Sequence, residues 1–186
     1  MLFHRFAVTL LTALVLSPIG LGAACAQEGA VPAEPASTTA TYGDWVVHCV
    51  TVAGAGERTC EAVQTVQVEG QAQPVAQLAI GRLPGAAERT LTAVLPVNIA
   101  LAVAAHVSGN AKSGAEEVGG VDLAWQRCFA GSCAASNLLP ERALASLRGG
   151  TAGRLNFTDA GGNAVGIPLS WKGLDQALSA METMKQ

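Results

Sequence analysis

Four cysteines set in two short-range pairs, Cys49 near Cys60 and Cys128 near Cys133, constrain this 186-residue chain more than any other feature. In a reducing compartment such spacings suggest metal or redox chemistry. In an oxidising one they suggest a stapled fold. The compartment therefore has to be read first, from the N-terminus.

The chain opens with a charged Met1–Arg5 segment, runs apolar from Phe6 to Leu16, and is broken at Pro18 and Gly20 ahead of small residues that include Ala24 and Ala26. That is the layout of a secretory signal peptide, with cleavage expected before Gln27. Its apolar run falls short of the roughly 18 residues that span a bilayer, so no stable membrane span is expected. Lipidation at Cys25, with processing before that residue, is the alternative; Gly22 stands where lipoprotein signals usually carry leucine. The mature protein is expected in the periplasm, or secreted to the outer surface.

Cleavage after Ala26 removes Cys25 and leaves an even set, which an oxidising compartment turns into disulfides. Three connectivities are formally open. The local pairs are preferred, because Gly54-Ala55-Gly56 is a turn signal between two strand-like runs and would set Cys49 across from Cys60. Loops this short contribute about 2 to 3 kcal/mol each by the chain-entropy argument. Zinc is disfavoured because ten residues separate the first pair and no histidine lies near the second. The second pair also lacks the Cys-x-x-Cys spacing of a thiol oxidoreductase.

Residues 27–41 are mostly Ala, Pro, Glu, Ser and Thr, which bury little, and are expected to form a flexible linker. The folded domain is placed at 42–186, long enough for one core. Without the signal, ten basic and fourteen acidic residues give a formal charge of −4, and the cations are scattered singly. Nucleic-acid binding, which needs clustered cations, is excluded as a working reading.

Along the domain, Asp44–Thr51, Thr59–Val68, Gln73–Leu83, Thr90–Leu95, Ile99–Val107, Val121–Phe129, Leu155–Thr158 and Ala164–Ser170 read as strands, punctuated by Gly- and Pro-bearing turns. Asp159-Ala160-Gly161-Gly162-Asn163 marks a hairpin. Pro140–Arg148, closed by Gly149-Gly150, carries helix-end chemistry, and Leu174–Met184 spaces its apolar residues for an amphipathic helix. About eight strands and two short helices argue for an antiparallel sandwich or barrel.

A convergent catalytic set is missing from the sequence. His48 and His106 are the two histidines of the mature chain, and each reads as a structural strand residue. No Gly-x-Ser-x-Gly occurs; Ser132 is the one serine in a suggestive turn, and Glu116-Glu117 read as solvated loop charges. Trp45, Trp125 and Trp171 read as core residues. No catalytic residue, metal or cofactor is expected.

The order of motifs resembles the invasion-associated locus B family of exported alphaproteobacterial proteins. The carriers are Tyr42-Gly43-Asp44-Trp45 leading to Cys49, then Cys60, Leu95-Pro96-Val97 through Val107, Cys128-x4-Cys133 with Gly131 inside, the helix ending at Gly149-Gly150, and Pro168-Leu169-Ser170-Trp171-Lys172-Gly173-Leu174. Asn98 stands where the family usually has glycine, and Trp171 and Leu174 where it has leucine and phenylalanine. The resemblance implies an immunoglobulin-like antiparallel β-sandwich, no catalytic residues, and, for the founding members, a link to entry into host cells. The expectation is a non-enzymatic, disulfide-stabilised binding or envelope-interaction protein, whose partner is an envelope or host-surface protein not named by the sequence. The alternative is a periplasmic small-ligand carrier or an enzyme using a cleft near His48 or His106.

Overall fold

In a computed structural model of the chain, residues 37–51, 58–109 and 120–184 are described. The expected signal peptide 1–26, the first ten linker residues, the turn at Gly54-Ala55-Gly56 and the loop carrying Glu116-Glu117 lie outside the described residues.

Runs of β-branched and aromatic residues pair in the order they occur. Strands β1 (Ser37–Tyr42), β2 (Trp45–Thr51), β3 (Arg58–Val66), β4 (Ala76–Arg82) and β5 (Arg89–Pro96) form an antiparallel meander. Next come β6 (Ala105–Gly109), β7 (Val121–Phe129) and β8 (Ser132–Leu138), then helix α1 (Glu141–Arg148), β9 (Ala152–Thr158), β10 (Ala164–Ser170) and helix α2 (Leu174–Met184). Neighbours across the sheet run β1-β2-β3-β4-β5-β8-β7-β6-β9-β10.

Strict alternation decides which side is core. Trp45, Val47 and Cys49 of β2, Leu78 and Ile80 of β4, and Leu91, Ala93 and Leu95 of β5 point to one buried face, while Val46, His48 and Val50 point the other way. Burying each of these large side chains contributes roughly 1.5 to 3 kcal/mol. Helix α2 lays Leu174, Ala177, Leu178 and Met181 onto this face, against β2 and β3. Helix α1 adds Ala143, Leu144 and Leu147, beside β6.

Four expectations are corrected. The sandwich of two sheets is one continuous ten-stranded antiparallel sheet, curled into a half-barrel. The physical reason lies in β7: Val121 and Leu123 pair with β6, Ala124 onward pairs with β8, and a bulge between Trp125 and Arg127 bends the strand where it changes partner. One strand thus joins what would otherwise be two sheets.

Second, residues 37–41, expected as part of a linker, belong to a strand, because Ser37–Tyr42 pairs with β2 from Ser37↔Val50 to Tyr42↔Trp45. This edge strand is held by backbone bonds and buries little side chain, so its Ser/Thr/Ala composition resembles a linker. Third, only the end of Ile99–Val107 is strand. The amide of Ala100 donates to Thr158 O (2.9 Å) and that of Val103 to Ala100 O (3.2 Å), so the chain turns across the end of β9 before β6 begins. Leu101 and Val103 are consequently exposed. Fourth, the return from the Gly131 turn is a full strand, β8, built from small residues that carry a weak strand signal.

Candidate docking groove

The sheet curls until β10 faces β2 and β3, and the two sequence motifs at the ends of the domain meet there. Trp45 stacks on Trp171 with ring centroids 6.0 Å apart, and its indole N–H donates to Ser170 O (3.0 Å). Ser170 Oγ–H donates to Asp44 Oδ2 (2.6 Å), and the Asp44 amide donates to Lys172 O (3.1 Å). Gly43 and Gly173, both in the left-handed region at φ 56° and 89°, let the two backbones press together; a methyl on Gly43 would lie 2.5 Å from Lys172 O.

One strand edge is closed by a side chain. β10 pairs with β9 on one side and ends the strand order on the other. At Ser170 that outer edge is capped by the buried side chain of Gln64 in β3: Gln64 Nε2–H donates to Ser170 O (2.5 Å) and the Ser170 amide donates to Gln64 Oε1 (3.2 Å). A primary amide here does what the backbone of a neighbouring strand would do.

Beyond Ser170 no strand among the described residues pairs with this edge. Pro168, Gly166 and Ala164, two residues apart, are exposed and turn toward the same side as Ser170. Proline has no N–H to offer, a recurrent feature of edge strands. Two hollows run along this edge and meet at Pro168. One, about 510 Å3, lies between Asp44, Gln64, Val66 and Ser170; the other, about 400 Å3, lies between Val68, Val75, Pro96, Phe157, Val165 and Ile167, with Asn98 and Asp159 at its rim.

The hollow beside Val68 and Phe157 is mainly apolar, the one beside Gln64 and Ser170 is evenly mixed, and a carboxylate stands at each end of the trough. Asp159 is held below the ordinary carboxylate pKa by hydrogen bonds from the Asn163 backbone amide, first of all, and from its side chain, so it stays anionic at neutral pH. Among the described residues neither hollow is lined by Lys or Arg; Arg154 lies on the outer face, against Gly166.

The residues singled out from the sequence sit elsewhere. Cys49 and Cys60 face each other across β2 and β3, their Sγ atoms 2.06 Å and Cα atoms 4.1 Å apart. Cys128 and Cys133 do the same across β7 and β8, at 1.94 Å and 3.9 Å. Both local pairs therefore stand at disulfide distance. His48 lies on the outer face between Thr39 and Glu61. The imidazole Nδ1 of His106 is 2.6 Å from Asp122 Oδ1 across β6 and β7, also on a strand face and away from the trough. Trp45 and Trp171 are buried; Trp125 is partly so and donates from Nε1 to Val103 O (2.8 Å). No group of three or more His, Cys, Asp or Glu among the described residues is placed to hold a metal.

Sequence reasoning missed Gln64 and the open edge. Pro168 inside a strand-like run was the available signal, since proline in a sheet marks an edge. Nothing local marks Gln64, whose partner lies 106 residues away.

Fold and site define a class: a mainly β domain, with ten antiparallel strands among the described residues, two cross-strand cysteine pairs at disulfide distance and a trough along one strand edge. The chain belongs to the invasion associated locus B protein family, whose model matches residues 45–182. Among solved structures it is similar to invasion associated protein B from Bartonella henselae, at 19% identity and a TM-score of 0.64, covering 80% of this chain and 98% of that one. That likeness is of fold. No curated protein sequence matches. No helix among the described residues is long and apolar enough to cross a membrane.

Proposed function

We propose that this is an exported, disulfide-stabilised binding protein of the bacterial envelope that works without catalysis, docking an envelope or host-surface protein in the trough beside β10. The observation that carries it is the trough itself: an apolar hollow beside a strand edge that no strand among the described residues pairs with. Export is supported by the signal-like N-terminus and by cysteines placed for cross-strand disulfides. Non-enzymatic action is the reading of the sequence, in which His48 and His106 each read as structural strand residues. A host-facing role is supported by membership of a family named for invasion, to whose fold the invasion associated protein of Bartonella also conforms.

Two measurements test this. N-terminal sequencing of the protein recovered from the cell envelope should begin at Gln27. A photo-crosslinking residue at Val68 should give a discrete adduct in intact cells that the same residue at Thr92, on the outer face, does not. Retention in the cytoplasm, or identical adducts from both sites, would defeat the reading.

A further inference from the structure

We infer that the occupant of the trough is an extended peptide segment, apolar along its centre and basic at both ends, which adds to β10 as an eleventh strand. This rests on the docking role above and specifies its chemistry.

The edge already accepts a strand-like partner. At Ser170 the Gln64 amide both donates to the carbonyl and accepts from the amide, which is the exchange one residue makes with its partner in a hydrogen-bonded pair of an antiparallel ladder. Continuing away from Ser170, the two-residue period turns the Pro168 carbonyl, both backbone groups of Gly166 and both of Ala164 to the same side. Among the described residues no strand pairs with them. A peptide laid along β10 would take up this row, the usual source of affinity when a strand is added to a sheet edge. Pro168 withholds one donor, which weakens indiscriminate pairing and leaves selection to the trough.

The side chains set what fits. Every second residue of such a peptide would face Val68, Val75, Phe157 and Ile167, so those positions must be apolar. Asp44 sits at the Ser170 end and Asp159 beside the turn before Ala164. β10 has seven residues, so the two carboxylates stand about 20 Å apart at 3.3 Å per residue. With no cation among the described residues of the lining, charge complementarity calls for Lys or Arg at both ends of a segment of about that length.

The test uses the mature protein and three labelled heptapeptides, read by fluorescence anisotropy: Lys-Thr-Val-Thr-Val-Thr-Lys, which sets both Lys and both Val on one face, the same peptide with Glu at both ends, and the Lys peptide N-methylated at alternate residues along its hydrogen-bonding edge. The Lys peptide should bind at least tenfold more tightly than the Glu peptide at low salt, with the gap narrowing as salt screens the carboxylates. N-methylation should abolish binding. Val68→Lys, at an exposed loop position, should weaken the Lys peptide at least fivefold while leaving the melting temperature unchanged.

Equal binding of the Lys and Glu peptides, undiminished binding after N-methylation, or no binding by any peptide would overturn the inference. So would sedimentation showing a homodimer of the protein alone that Val68→Lys dissolves, because the occupant would then be a second copy. A trough-specific cross-link in cells without peptide binding would keep the docking role and remove the added-strand chemistry.

Discussion

Gly173 packs so tightly against Tyr42 that a methyl group on Gly173 would overlap the Tyr42 carbonyl oxygen. This contact joins the first turn of the domain to the segment after its last strand, and it locks the curl of the sheet. Trp45 and Trp171 stack beside it, and the Asp44 amide binds Lys172 O.

Substituting Gly173 by alanine combines a left-handed backbone at φ 89° with a clash against main chain that cannot rotate away. The expected loss exceeds about 4 kcal/mol, at the extreme of single substitutions. Gly85 has φ 76° and open space around it, so Gly85→Ala should cost only the conformational penalty of about 1 to 2 kcal/mol. Urea denaturation of both variants measures the difference. Equal losses would mean that the close approach contributes nothing.

Gln64→Leu removes the amide that caps the β10 edge and leaves the Ser170 amide without its partner. A loss of about 1 to 3 kcal/mol is expected, the penalty for unsatisfied buried polar groups. Hydrogen exchange at the Ser170 amide should accelerate more than exchange at Leu78, in the middle of the sheet.

Glu182 on α2 receives hydrogen bonds at one oxygen from Arg82 Nη1 (2.7 Å) and Arg89 Nη2 (2.6 Å), tying the helix to β4 and β5. The Arg82 hydrogen bond, chiefly, holds its carboxyl below the usual value against the opposing effect of burial. A depressed folded-state pKa gives stability that is full above the ordinary carboxylate pKa near 4.5 and is lost as pH falls through the depressed value. The wild-type advantage over Glu182→Gln should thus be present at pH 7 and be lost as acidification carries the pH down through the depressed folded-state value. Its size should be under about 1 kcal/mol, because the carboxylate is nearly half exposed. Thermal melts of both proteins from pH 3 to 7 would show it; an advantage that grows toward low pH would contradict the assignment.

Non-reducing peptide mapping of the exported protein should return linked peptides for Cys49 with Cys60 and for Cys128 with Cys133. Removing the buried first pair as Cys49→Ala with Cys60→Ala should cost about 2 to 3 kcal/mol. Crossed linkages or free thiols would contradict the cross-strand pairing.

How much was legible in the sequence follows from where each signal resides. Strands whose faces alternate, such as Trp45–Thr51 and Ala164–Ser170, announce themselves, as do helices with capped ends and spaced leucines. β1 and β8 are built from Ser, Thr and Ala, and their strand character comes from the neighbour that supplies hydrogen bonds. Ile99–Val103 shows the reverse: apolar residues held in a turn because Ala100 binds the end of β9.

The sequence by itself determined strands whose faces alternate plainly, such as Trp45–Thr51, the short spacing within each cysteine pair and the order of motifs that marks the family, because periodicity, spacing and motif order are local or sequential properties. Only the tertiary structure decided that the strands form one curled sheet, that Gln64 meets Ser170, and that the Tyr42-Gly43-Asp44-Trp45 and Ser170-Trp171-Lys172-Gly173 motifs are two halves of a single closure. Those contacts join residues more than a hundred positions apart, and they exist only once the sheet has curled. The trough is what that closure leaves open, where Gln64 stops and the β10 edge continues.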